Sequence, residues 1–137
     1  MAAAKKTKKT KSTPAAATVS PRHRIFAMPF AKVYAAWLNK VARKGRTQKE
    51  LDQVICWLTG YSPAALRKLL KGDADLGAFF DNAPGYNPAA RLITGTVCGV
   101  RVEEVAEPSM RKVRQLDKLV DEMAKGWPLE KILRRPE

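Results

Sequence analysis

Apolar residues recur every three or four positions from residue 30 onward, and most runs are closed by a glycine; this rhythm constrains the fold more than any other feature. Phe30, Val33, Tyr34, Trp37, Leu38 and Val41 have the spacing that lines one side of an α-helix. Lys40, Arg43 and Lys44 gather near the end of that run, where cations favour the helix dipole, and Gly45 stops it. Thr47 followed by Glu50 is a capping box, which predicts a second helix with Leu51, Val54, Ile55 and Leu58 inward. Gly60 suits the left-handed conformation that closes a helix, with Tyr61 folding back over the last turn. Ser62 and Pro63 then open a third helix as N-cap and first helical residue, carrying Leu66, Leu69 and Leu70 inward.

The pattern continues. Asp73 or Asp75 caps a short helix with Leu76, Phe79 and Phe80, and the loop NAPGYNP from Asn82 to Pro88 ends in another cap-plus-proline pair, Asn87 and Pro88. Pro108 begins a long helix whose inner face is Met110, Val113, Leu116, Leu119, Val120 and Met123, closed by Gly126. Trp127 and Pro128 lead into a last short helix with Leu129, Ile132 and Leu133 inward.

The segment 92–105, LITGTVCGVRVEEV, is ambiguous, because its threonines and valines also suit a hairpin turning near Gly99. Residues 96–105 align loosely with 57–66, placing Gly99 at the Gly60 position, and on that match the segment is read as helix, glycine corner, helix. The expectation is an all-α fold: a compact bundle of six or seven short amphipathic helices forming a single domain over residues 22–137. The alternative is α+β, with a small hairpin around residues 92–105.

Residues 1–24 hold seven cations and no acid, and the net charge of +13 belongs entirely to the N-terminal half. Lys5, Lys6, Lys8, Lys9 and Lys11 are interspersed with threonine, and no bulky apolar side chain stands between Met1 and Val19. Residues 1–21 are therefore expected to be a disordered Lys/Ala-rich tail, since nothing there offsets the entropy of ordering. The alanines come in short, broken runs rather than a continuous apolar core, which argues against a secretory signal and for the cytoplasm; a transit peptide is less sharply excluded, although the segment is Lys-rich rather than Arg-rich. No stretch approaches the roughly 20 apolar residues of a membrane span.

Chemistry is sparse. Cys56, Cys98 and His23 are too few for a four-ligand structural zinc site, and both cysteines sit among apolar neighbours as small buried hydrophobes. His23, the only histidine, lies at the edge of the tail, which leaves Ser or Cys nucleophiles without their usual base. Asp117 with Asp121, and Glu103 and Glu104 with Glu107, lie close to basic residues and read as solvated charged faces rather than acid–base pairs. TGTVCG, residues 94–99, lacks both the GxGxxG spacing and the lysine of a phosphate loop. No catalytic, cofactor or metal site is predicted.

Residues 50–71 have the spacing of a helix-turn-helix with Gly60 in the turn; its second helix would present Ala64, Ala65, Arg67, Lys68 and Lys71. The cations suit phosphates, while two alanines offer a base edge only methyl contact. The same spacing arises wherever two core helices meet at a glycine.

The segments HRIFAMPFAKVY, KGRTQKELDQVICWLTGY, FFDNAP, ITGTVCGVRVEEV and RQLDKLVDEMAKG followed by EKILR resemble the bacterial family catalogued as domain of unknown function 2200, over roughly residues 22–135. The resemblance implies a compact bacterial, cytoplasmic protein and brings no catalytic or ligand residue to particular positions. Two functional readings follow. The first is a non-enzymatic module that associates with nucleic acid non-specifically and salt-sensitively through Lys5, Lys6, Lys8, Lys9, Lys11, Arg22, Arg24, Arg67, Lys68 and Lys71. The second is a small protein-interaction or regulatory domain whose partner contacts the more neutral C-terminal half.

Overall fold

The structure is a computed structural model and describes residues 24–135. Lys5, Lys6, Lys8, Lys9, Lys11 and Arg22, with the rest of the expected tail, lie outside the described residues. Among the described residues six α-helices follow one another: α1 (Phe30–Ala42), α2 (Gln48–Thr59), α3 (Pro63–Lys71), α4 (Leu76–Asp81), α5 (Pro108–Ala124) and α6 (Leu129–Ile132). Short 3-10 turns at Arg24–Ala27, Pro88–Leu92 and Val102–Glu104 join or extend them. The fold is mostly α, as the periodicity requires.

The helix ends follow the capping chemistry. Thr47 accepts from the Glu50 amide while Glu50 reaches back to Thr47, and Ser62 accepts from Ala65 ahead of Pro63. Of the two candidate caps for α4 it is Asp75 that accepts from the Ala78 amide. Gly60 closes α2 at φ 84°, as expected. Tyr61 is buried beyond it, donating its hydroxyl proton to the Phe79 carbonyl at 2.7 Å.

The core is built on α1, α2, α4 and α5. Phe30 stacks on Phe79 with ring centroids 4.1 Å apart, Tyr61 stacks on the same ring at 5.4 Å, and Phe80 meets it edge-on. The Phe30 amide donates to the Ala74 carbonyl and the Leu76 amide to the Met28 carbonyl, tying the start of α1 to the start of α4. Leu69, Leu70, Met110, Leu129 and Leu133, all expected inward, are only half-buried, so α3 is anchored to the core chiefly by Leu66.

Residues 92–105 correct the helix–corner–helix reading. Thr96–Val97 (β1) pairs antiparallel with Val100–Arg101 (β2), Val97 opposite Val100, and the chain turns through Cys98 and Gly99 at φ 52° and 76°. Positive φ at both central residues is the type I′ pattern that matches strand twist. Gly60 and Gly99 thus share a left-handed backbone but close different elements. β-Branched residues flank Gly99, whereas a helical apolar stripe precedes Gly60, and that difference outweighs the loose alignment. Cys98, expected buried, is exposed at the hairpin tip, and Cys56 is half-buried.

The hairpin docks on α5. Lys118 Nζ donates to the Thr96 carbonyl at 3.3 Å, and the Val102 amide donates to the Gly95 carbonyl.

Candidate nucleic-acid interface

The second face of α2 carries Gln48, Lys49, Asp52, Gln53 and Cys56, one continuous stripe beside the buried Leu51–Leu58 stripe. Across from it α3 presents Pro63 and Arg67, one turn apart. Together these seven residues line an open groove of about 690 Å³, within the range of roughly 300–1,000 Å³ usual for ligand sites.

Two carboxylates of this half, Glu50 and Asp52, accept hydrogen bonds from the chain. Glu50 takes the Thr47 amide at 3.0 Å and Arg46 at 3.0 Å. The Thr47 N–H, with Arg46 behind it, holds the Glu50 carboxyl below its ordinary value. Asp52 accepts from the Tyr34 hydroxyl at 2.5 Å, and the Tyr34 oxygen accepts from Gln48 Nε2 at 3.0 Å. Burial first, then the bond to Asp52, push the Tyr34 hydroxyl far above its usual range, so it stays a proton donor. Burial and the Asp52 charge also raise the Cys56 thiol, which disfavours the thiolate.

The cations are not engaged. Arg43, Lys44, Lys49, Arg67, Lys68 and Lys71 make no ion pair among the described residues. Arg67, Lys68 and Lys71 are exposed on α3, as the helix-turn-helix spacing suggests, and Arg67 reaches the groove. Arg24 is exposed too, but it opens a 3-10 turn that packs on α4 and does not line the groove. Spacing marks Tyr34 only as part of the apolar stripe of α1, and it does not mark Lys49, Asp52 or Gln53 as site residues. The signal that finds them is the polar stripe 48, 49, 52, 53 on α2, which looks like an ordinary solvated face until α3 closes its other side.

The carboxylates on α5 are not a plain solvated face. Asp117 and Asp121 side chains are only 18% and 20% exposed, at the seam between α1 and α5. Trp37 Nε1 donates to Asp117 at 3.2 Å and Arg114 pairs with its other oxygen at 3.2 Å. Lys125, Lys40 and Lys118 surround Asp121 at 3.1, 3.6 and 3.7 Å. Each carboxylate is satisfied by the chain's own donors, which makes the pair a structural clasp rather than an acid–base centre. Glu107 caps α5 by accepting from Ser109 and Met110, while Glu103 and Glu104 face Arg101.

Among the described residues no group of His, Cys, Asp or Glu could hold a metal ion, and no helix is long and apolar enough to cross a membrane.

The fold and the groove define a small, mostly helical protein with an open polar groove between α2 and α3. Residues 24–134 match the family described as an uncharacterized protein conserved in bacteria (DUF2200), and the chain belongs to that family. Its structure is similar to the crystal structure of uncharacterized protein SP1917, with a TM-score of 0.78 and 43% identity, covering 84% of this chain and 94% of that one. No curated protein matches the chain.

Proposed function

We propose that this protein is a non-enzymatic binding module that associates with nucleic acid through phosphate contacts made by α2 and α3, assisted by the basic residues 5–24. A cytoplasmic location goes with this reading. The observation that carries it is the excess of cations on this face: Lys49, Arg67, Lys68 and Lys71 make no ion pair among the described residues, while Glu50 is paired with Arg46 and Asp52 is the one acid among the groove-lining residues. Such a surface attracts a polyanion by releasing its condensed counter-ions. The exposed start of α3 offers Ala64, which can make only methyl contact with a base, so α3 itself contributes phosphate contacts rather than sequence reading.

The test is fluorescence anisotropy of the full chain with labelled oligonucleotides over a salt series. Affinity should fall linearly with salt on logarithmic axes. Replacing Arg67, Lys68 and Lys71 together by Ala should reduce affinity roughly tenfold or more and flatten the slope by about 2 to 3. Unchanged affinity and slope in a triple variant that keeps its circular dichroism spectrum would refute the proposal.

A further inference from the structure

Asp52 on α2 and Arg67 on α3 both line the groove, carry opposite charges, and make no ion pair with one another. Asp52 is not free to swing across. The Tyr34 hydroxyl, rising from α1 beneath, holds Oδ1 at 2.5 Å, and Gln48 steadies the Tyr34 oxygen at 3.0 Å. Among the described residues Oδ2 receives no hydrogen bond, and the groove also holds the Gln53 amide and the Lys49 ammonium, neither of which is hydrogen-bonded through its side chain to another described residue. A ligand that offered phosphate alone would be drawn by Lys49 and Arg67 but repelled by Asp52. A ligand that matches both walls carries an anion at one side and a hydrogen-bond donor at the other.

Resting on the reading proposed above, we infer that the α2–α3 groove takes one nucleotide of a single strand, phosphate toward Arg67 and Lys49, and selects a base whose exocyclic amino group donates to Asp52. Cytosine N4–H₂ donates well to a carboxylate. Thymine presents the O4 carbonyl at the same edge, and its ring N–H is flanked by two carbonyl oxygens, so a fixed acceptor disfavours it. The ligand is single-stranded because these base edges are occupied in a duplex and are read when unpaired. Cys56 and Pro63 supply apolar surface for the face of the base.

The experiment compares labelled oligo(dC) and oligo(dT) of equal length, at neutral pH and one salt concentration, by anisotropy with the full chain. Oligo(dC) should bind about tenfold more tightly, the discrimination expected of one well-placed base contact. Asp52→Asn can still accept the Tyr34 proton at Oδ1 while turning an amide donor into the groove. That variant should move the preference toward oligo(dT), an inversion that mere loss of a negative charge would not produce. Equal binding of the two strands by the unaltered protein would overturn this inference and leave the phosphate-contact reading standing. Retention of the oligo(dC) preference by a folded Asp52→Asn variant would overturn it too. Binding of neither strand at low salt would overturn both.

Discussion

Gly60 and Gly85 meet backbone to backbone: a Cβ on Gly60 would stand 2.6 Å from the Gly85 amide nitrogen. The loop that follows α4 is thereby pressed against the end of α2, and the Gly85 and Asn87 amides donate to the Thr59 and Leu58 carbonyls at 3.1 and 2.8 Å. Gly60→Ala meets both a left-handed backbone and a backbone clash, and is expected to lose about 3 kcal/mol or more. Gly45 has the same φ of 84° with nothing within 4 Å of a Cβ, so Gly45→Ala should lose only about 1 kcal/mol. Urea denaturation of both variants checks the contrast; equal losses would mean that the close approach contributes nothing.

Cys98 occupies a position of the type I′ turn that favours Asn, Asp or Gly, at φ 52°. Cys98→Asn should therefore stabilise the protein by roughly 0.5–1 kcal/mol, seen as a rise of a few degrees in Tm by calorimetry. A lower Tm would show that the thiol makes a favourable contact there.

Asp117 and Asp121 should leave opposite marks on the pH dependence of stability. Burial raises the Asp117 carboxyl, outweighing the Trp37 and Arg114 hydrogen bonds and charges. Its contribution is therefore complete below the ordinary carboxylate range near pH 4 and is lost as pH rises through its raised folded value. Burial also pushes Asp121 upward, but Lys125, Lys40 and Lys118 outweigh it and hold the group low. Its contribution is present above the ordinary range and is lost as pH falls through the lowered value. Relative to the unaltered protein, Asp117→Asn should gain stability between about pH 4 and 7, whereas Asp121→Asn should lose about 1 kcal/mol at neutral pH and recover in acid. Urea titrations across pH decide it, and parallel behaviour of the two variants would contradict the assignment.

Arg134 holds the fully buried Glu122 through both guanidinium nitrogens, at 2.6 and 2.9 Å, donates to the Leu92 carbonyl, and lies over the Trp127 ring. Arg134→Ala strands a carboxylate in the core and should lose about 3–5 kcal/mol. Adding Glu122→Leu to it should restore much of that loss. If the double variant is no more stable than Arg134→Ala, the uncompensated charge is not the cause.

The helices of this protein were readable because their caps and stripes act locally: Thr47 with Glu50, Ser62 with Pro63, and Gly60 all adopt the predicted roles. The hairpin at 96–101 is hidden by an apparent internal repeat that mimics the α2–α3 corner, although the β-branched Val97 and Val100 around Gly99 favour strands. Residue spacing identified Arg67, Lys68 and Lys71 on α3, yet it could not show that Asp52 stands opposite Arg67, since that relation depends on how two helices cross. Tyr34 falls on the apolar stripe of α1 and is buried there, but its hydroxyl reaches across to α2, which spacing alone does not reveal. Burial of Asp117 and Asp121 was equally hidden, because their neighbours in sequence are charged while their neighbours in space include Trp37 and Lys40 of α1.

The Arg134 clasp on Glu122 is also a keystone between segments far apart in sequence. One guanidinium reaches Glu122 of α5, the Leu92 carbonyl at the end of the second 3-10 turn and the face of Trp127. A chain that loses this side chain therefore slackens at three places together rather than at one.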